Sequence, residues 1–142
     1  MKRTITSTIS VVLSVVLLLC LASCGNKVDK EGLWENATYL KDTKLGKGEK
    51  TLEVEISAGG QSVTLTVKTD KTTVGEALLE HDIIAGEEST YGLYVKKVNG
   101  ITADFDVDQR YWAFYVNGEY ATSGVDTATI TEGTTYKLEY TK

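Results

Sequence analysis

Thr51-Leu52-Glu53-Val54-Glu55-Ile56-Ser57-Ala58-Gly59-Gly60-Gln61-Ser62-Val63-Thr64-Leu65-Thr66-Val67 is the stretch that decides the fold. Leu52, Val54 and Ile56 alternate with Thr51, Glu53 and Glu55, and Val63, Leu65 and Val67 alternate with Ser62, Thr64 and Thr66. Successive side chains of a strand point to opposite faces, so this period of two marks two half-buried strands. The glycine turn between them closes a β-hairpin. Thr73-Val74-Gly75-Glu76 then reads as a capping box, in which the Thr73 hydroxyl and the Glu76 carboxylate satisfy each other's orphan backbone donors. Val74, Ala77, Leu78 and His81 follow at i, i+3, i+4 and i+7, which lays one face of a short helix on the sheet.

Downstream, the chain reads as strands joined by turns. Asn99-Gly100 and Asn117-Gly118 favour type I′ turns, because both residue types tolerate positive φ. Leu93 and Val95 lead into the first turn; Trp112, Phe114 and Val116 lead into the second, with Tyr111, Ala113 and Tyr115 on the opposite face. Tyr136, Leu138 and Tyr140 alternate along a last strand that belongs at or near the sheet centre. The expectation is one α+β domain over 50–142, β-grasp-like, with an N-terminal hairpin, one short helix and then three to four strands.

Upstream, Lys2-Arg3 precedes an apolar run from Val11 to Leu21, too short for the roughly 18 residues of a spanning helix, and Leu21-Ala22-Ser23-Cys24 follows. This pattern resembles a bacterial lipoprotein signal. The resemblance implies a signal peptide at 1–23 and Cys24 as a lipidated N-terminus, held at the extracytoplasmic face of the cell membrane. Cys20 would leave with the signal, so neither a disulfide nor thiol chemistry is expected. Loss of Lys2 and Arg3 moves the formal charge from −5 to −7, and an acidic domain does not seek nucleic acid. Residues 24–49, rich in charged residues, Asn and Gly, read as a tether of ~28 Å r.m.s. span if flexible. Leu33, Trp34, Tyr39 and Leu40 leave open a docked strand or short helix, with Tyr39 and Leu40 better suited to it than Trp34.

The chemical inventory argues against an enzyme. His81 is the one histidine, and the sequence has neither a phosphate-binding glycine loop nor a legible nucleophile with base and orienter. Asp104, Asp106 and Asp108 have the spacing of the first ligands of a calcium loop, but Gln109 stands where that loop needs Gly and Tyr115 where it needs Glu. They are expected to form a solvated edge, with no metal and no resident cofactor. The aromatic set is the stronger lead: eight tyrosines against two phenylalanines give large rings with polar tips, suited to a ligand or a wet edge. Tyr94, Tyr111, Trp112, Tyr115 and Tyr120, with Ser123, Gly124 and Val125 just beyond, are the candidate ligand-binding residues; ordinary sheet packing accounts for at least half of the rings, Trp112 first.

Thr73-Val74-Gly75-Glu76-Ala77-Leu78, Tyr91-Gly92-Leu93-Tyr94-Val95, Asn99-Gly100-Ile101, Tyr111 through Glu119, Gly124-Val125 and Glu132-Gly133 together resemble the bacterial domain family similar to the C-terminal β-domain of transcobalamin and intrinsic factor. The resemblance implies a β-grasp-like, extracytoplasmic, non-catalytic module, with cobalamin or a related corrinoid as the named ligand. In the vertebrate carriers a separate helical domain holds the other face of cobalamin, and this chain lacks one. The alternative is a structural or adhesion module of the cell envelope that binds another surface protein.

Overall fold

A computed structural model describes residues 25–142, so Cys24 and the signal segment lie outside the described residues. No helix among them is long and apolar enough to cross a membrane. The strands are β1 (Thr43–Gly46), β2 (Lys50–Ala58), β3 (Gln61–Thr69), β4 (Ile84–Ser89), β5 (Gly92–Val98), β6 (Ile101–Thr102), β7 (Tyr111–Val116), β8 (Glu119–Tyr120) and β9 (Thr135–Thr141). The helices are α1 (Val74–Glu80) and the single turn α2 (Phe105–Asp108), preceded by a 3-10 turn at Gly32–Trp34. A six-stranded sheet has the order β1-β3-β2-β9-β7-β8, and β4-β5-β6 form a separate sheet. β2 runs parallel to β9 and β1 parallel to β3; the other pairs are antiparallel.

The period-two pattern fixes which face is buried. Leu52, Val54, Ile56, Val63, Leu65 and Val67 are fully buried, together with Val74, Ala77 and Leu78 of α1 and Val98 of the small sheet. The opposite face carries Glu53, Glu55, Thr64, Thr66 and Lys137, half-buried or exposed. β9, paired with β2 and β7, is central as expected. Asn99, Gly100, Asn117 and Gly118 all have positive φ, as type I′ turns need.

The architecture is α+β, and it corrects three expectations. Six strands follow α1 rather than three or four, because residues 84–102 pair among themselves instead of joining the main sheet. Asp104 to Asp108, expected as a solvated edge, form a helical turn rather than a sheet edge, with the Asp104 carboxylate capping it by accepting from Asp106 N–H. The tether expected over 24–49 is docked: β1 extends the sheet edge, and Trp34 is only 1% exposed. The Trp34 indole N–H donates to the Ala58 carbonyl at 3.0 Å. The buried Asn99 side chain bonds the backbone of Tyr39 in both directions, at 2.8 and 2.9 Å. These partners lie 24 and 60 residues away, so no local pattern announces them.

The capping box forms as read. Glu76 accepts from the backbone N–H groups of Thr73 and Thr72, and Thr73 Oγ1 accepts from Glu76 N–H. The two backbone donors, Thr73 first, hold the Glu76 carboxyl below its ordinary value. A depressed carboxylate contributes stability at neutral pH that is lost as the pH falls through its folded-state value. The melting temperature of wild type is therefore expected to exceed that of Glu76→Gln at neutral pH, and the gap to close in acid. A gap that stays constant from neutral pH into strong acid contradicts this role.

Candidate functional site

The chain after Tyr120 is laced to the start of α1. Val74 N–H donates to the Ala128 carbonyl at 2.9 Å, Gly75 N–H to Val125 at 2.8 Å, and Ile130 N–H to Thr72 at 2.9 Å. A Cβ on Gly75 would lie 3.0 Å from the Asp126 backbone, so glycine permits this close approach. Asp126 ties the same loop to the β4–β5 hairpin: its Oδ2 accepts from Leu93 N–H at 3.2 Å, while Oδ1 is buried and accepts no hydrogen bond from the protein.

Between this loop, β5 and the edge of β7 lies an open cleft of about 490 Å³. Tyr94, Tyr111, Trp112, Tyr120, Ser123, Gly124 and Val125 all line it. Trp112 and Val125 are floor, at 7% and 2% exposed. The Trp112 indole N–H is already used on the Ile101 carbonyl at 3.2 Å, and its ring meets Tyr140 edge-on at 5.5 Å. The side chains of Trp112 and Val125 belong to the core and form the floor of the cleft rather than its rim. Of the candidate rings, Tyr94 and Tyr120 are exposed, at 41% and 60%, beside the still more exposed Tyr91.

Tyr115 is the candidate residue outside the cleft. It pairs in register with Tyr120, ring centroids 5.5 Å apart, and has the Lys137 ammonium 5.8 Å from its ring. Tyr120 stands at the rim between that group and the cleft. Partial burial and then the neighbouring Tyr111 phenol push its hydroxyl up, so it remains a neutral hydrogen-bonding group at physiological pH. Tyr91, Leu93, Val95, Phe114, Ala121, Thr122 and Leu138 complete the lining. The walls thus carry tyrosine, serine and threonine hydroxyls but no Asp, Glu, Lys, Arg or His. Asp126 is the residue that sequence reasoning missed, since an isolated loop acid carries no pattern.

The remaining candidates scatter. His81 caps the C-terminal end of α1 and does not line the cleft, with Glu80 4.0 Å away. Asp108 accepts from Arg110 N–H and from the Tyr140 hydroxyl, while Asp104 serves as a cap. Among the described residues, no three His, Cys, Asp or Glu side chains gather as a metal site would require. A second, smaller depression of about 270 Å³ lies on the open sheet face, lined by Glu53, Glu55, Thr64 and Lys137 among others.

A family model described as a domain of unknown function, DUF4430, matches residues 71–142. No curated protein sequence matches the chain. A crystal structure of a protein from Ruminococcus gnavus, for which metal binding has been suggested, is 27% identical with a TM-score of 0.63, covering 66% of this chain and 98% of that one. Haptocorrin in complex with Cbi is 20% identical with a TM-score of 0.48; the match covers 66% of this chain and 25% of haptocorrin.

Proposed function

Since the chain belongs to the DUF4430 family, whose matched residues 71–142 contain the whole lining of the cleft, we propose that it is a non-catalytic binding module that holds its ligand there. It is anchored through a lipid on Cys24 at the extracytoplasmic face of the cell membrane. One observation carries the reading: Tyr94, Tyr111, Tyr120 and Ser123, from separate segments, converge on one uncharged, aromatic-walled space. Its volume falls within the roughly 300–1,000 Å³ of small-molecule sites. The hairpin-then-helix order and the parallel β2–β9 pair support a β-grasp-like reading of the fold.

The anchor and the cleft suit one another. The first described residues bind the β1/β3 edge, where Asn26 Nδ2 donates to the Ser62 carbonyl at 2.7 Å. The cleft lies beside β7, three strands beyond β3 and so about 14 Å across the sheet. A lipid at the N-terminus therefore leaves the cleft free to meet a ligand.

Cobalamin or a related corrinoid is the small molecule that the family resemblance names, and cyanocobalamin is the first probe. In a spectral titration of the full chain in detergent, the corrinoid reading requires a saturable change in corrin absorbance. Tyr120→Ala should weaken it about tenfold while costing less than ~1 kcal/mol of stability, because the ring is exposed. No change up to millimolar cyanocobalamin would remove corrinoids; equal binding by wild type and Tyr120→Ala would move the site away from the cleft. The metal binding suggested for the Ruminococcus gnavus protein is not carried over to this chain, since no donor set gathers among the described residues. The alternative, a module that binds another protein of the envelope, is favoured by the backbone of the cleft walls.

A further inference from the structure

Both walls of the cleft are strand edges that lack a partner strand. On β7, Asn117 N–H donates to Thr135 on the β9 side, and Phe114 accepts from Ala121 N–H on the other. Backbone groups alternate along an antiparallel strand, so the even-numbered residues of β7 face away from β9. β8 pairs only with Tyr115 and Val116, which leaves the N–H and C=O of Trp112 on an unpaired edge. On β5 the ladder with β4 uses Gly92 and Tyr94, so Leu93 faces outward; a register shift opposite Val95 interrupts the alternation beyond it, and Ala103 N–H, donating to the Lys96 carbonyl at 2.8 Å, carries the pairing on the β6 side as far as Lys96. Asp126 Oδ2 accepts the Leu93 N–H where an added strand would offer a carbonyl. The Leu93 C=O has no such substitute.

Resting on the reading of the cleft as the binding site, we infer that its occupant is an extended polypeptide segment of a partner protein, apolar at its centre and flanked by lysine or arginine, which adds to the Trp112 edge of β7. Main-chain hydrogen bonds give such a complex its register, and side-chain pockets its selectivity. The apolar centre follows from walls of Tyr, Trp, Phe, Leu and Val with no charged side chain. The cationic flanks follow from charge: the elements bordering the cleft walls carry Glu87 and Glu88 on β4 and Asp104, Asp106 and Asp108 at α2, against Lys96 and Lys97 on β5 and Arg110 just before β7, with Lys96 itself bound to Glu87 at 3.1 Å. Tyr94 and Tyr120 stand at the rim to cover the segment's side chains.

The test is selection of random octapeptides on the full chain in detergent, followed by N-methylation of alternate peptide bonds in the tightest binder. Selected sequences are expected to carry lysine or arginine around an apolar centre. Methylation at one parity should weaken binding about tenfold, the worth of one hydrogen bond left unmade, and at the other parity far less. Amide exchange at Trp112 should slow in the complex. Failure to select any octapeptide, or equal tolerance of methylation at both parities, overturns the inference. If cyanocobalamin nevertheless binds and Tyr120→Ala weakens it, the cleft stands as a small-molecule site and only the peptide is lost. If neither probe binds, both readings fall.

Discussion

Replacing Trp34 with alanine is expected to destabilise the folded domain by about 3–5 kcal/mol, the range for truncating a large buried aromatic. The ring is 1% exposed, and its N–H satisfies the carbonyl of Ala58, itself a buried residue at the end of β2. The substitution therefore opens a cavity and orphans an acceptor at once, the second effect alone costing about 1–3 kcal/mol. Trp34→Phe separates the two by keeping most of the volume while losing the bond, and should fall between wild type and Trp34→Ala. Thermal or urea unfolding measures both. A Trp34→Ala protein that melts within a degree or two of wild type would mean that residues 26–46 are a tether after all, loosely laid on a domain that begins at β2.

Cys24→Ser is expected to have the largest effect on location. Acyl chains contribute about 0.8 kcal/mol per buried CH₂, and attachment through two or more of them is lost when the sulfur that carries the diacylglyceryl group is removed. No helix among the described residues is long and apolar enough to cross a membrane in its place. The variant should leave the membrane fraction on washing without detergent, while wild type remains. Retention of the Ser variant would refute lipid anchoring.

The sequence makes the local elements legible. The alternation in 51–67, the Thr73–Glu76 box and the two Asn-Gly turns each depend on neighbours within a few residues, and each forms in the structure as its chemistry requires. Tertiary partners are not legible in this way. Trp34 sits among Glu, Asn and Lys, and only the distant Ala58 carbonyl and the underside of the sheet make it core. Asp104-Phe105-Asp106-Val107-Asp108 shows the opposite failure: its alternation imitates a strand, but Asp104 is also a good N-cap, and capping won. Within the cleft, parity along β7 separates Tyr115 from Trp112 but cannot say which face is covered. The loop through Ser123 and Gly124 comes to the β7 edge because Asp126 and the α1 backbone pull it there, across more than 30 residues.

The central claim is that ligand is held between β5, β7 and the loop of residues 121–125. Backbone amide shifts in nuclear magnetic resonance spectra of the full chain, recorded with a selected octapeptide or with cyanocobalamin at saturation, test it most directly. The expected result is a set of large shifts confined to Leu93, Val95, Trp112 and residues 120–125, with Glu53, Glu55, Thr64 and Lys137 on the open sheet face undisturbed. Shifts centred on those four residues instead, with the cleft amides unmoved, would contradict the account.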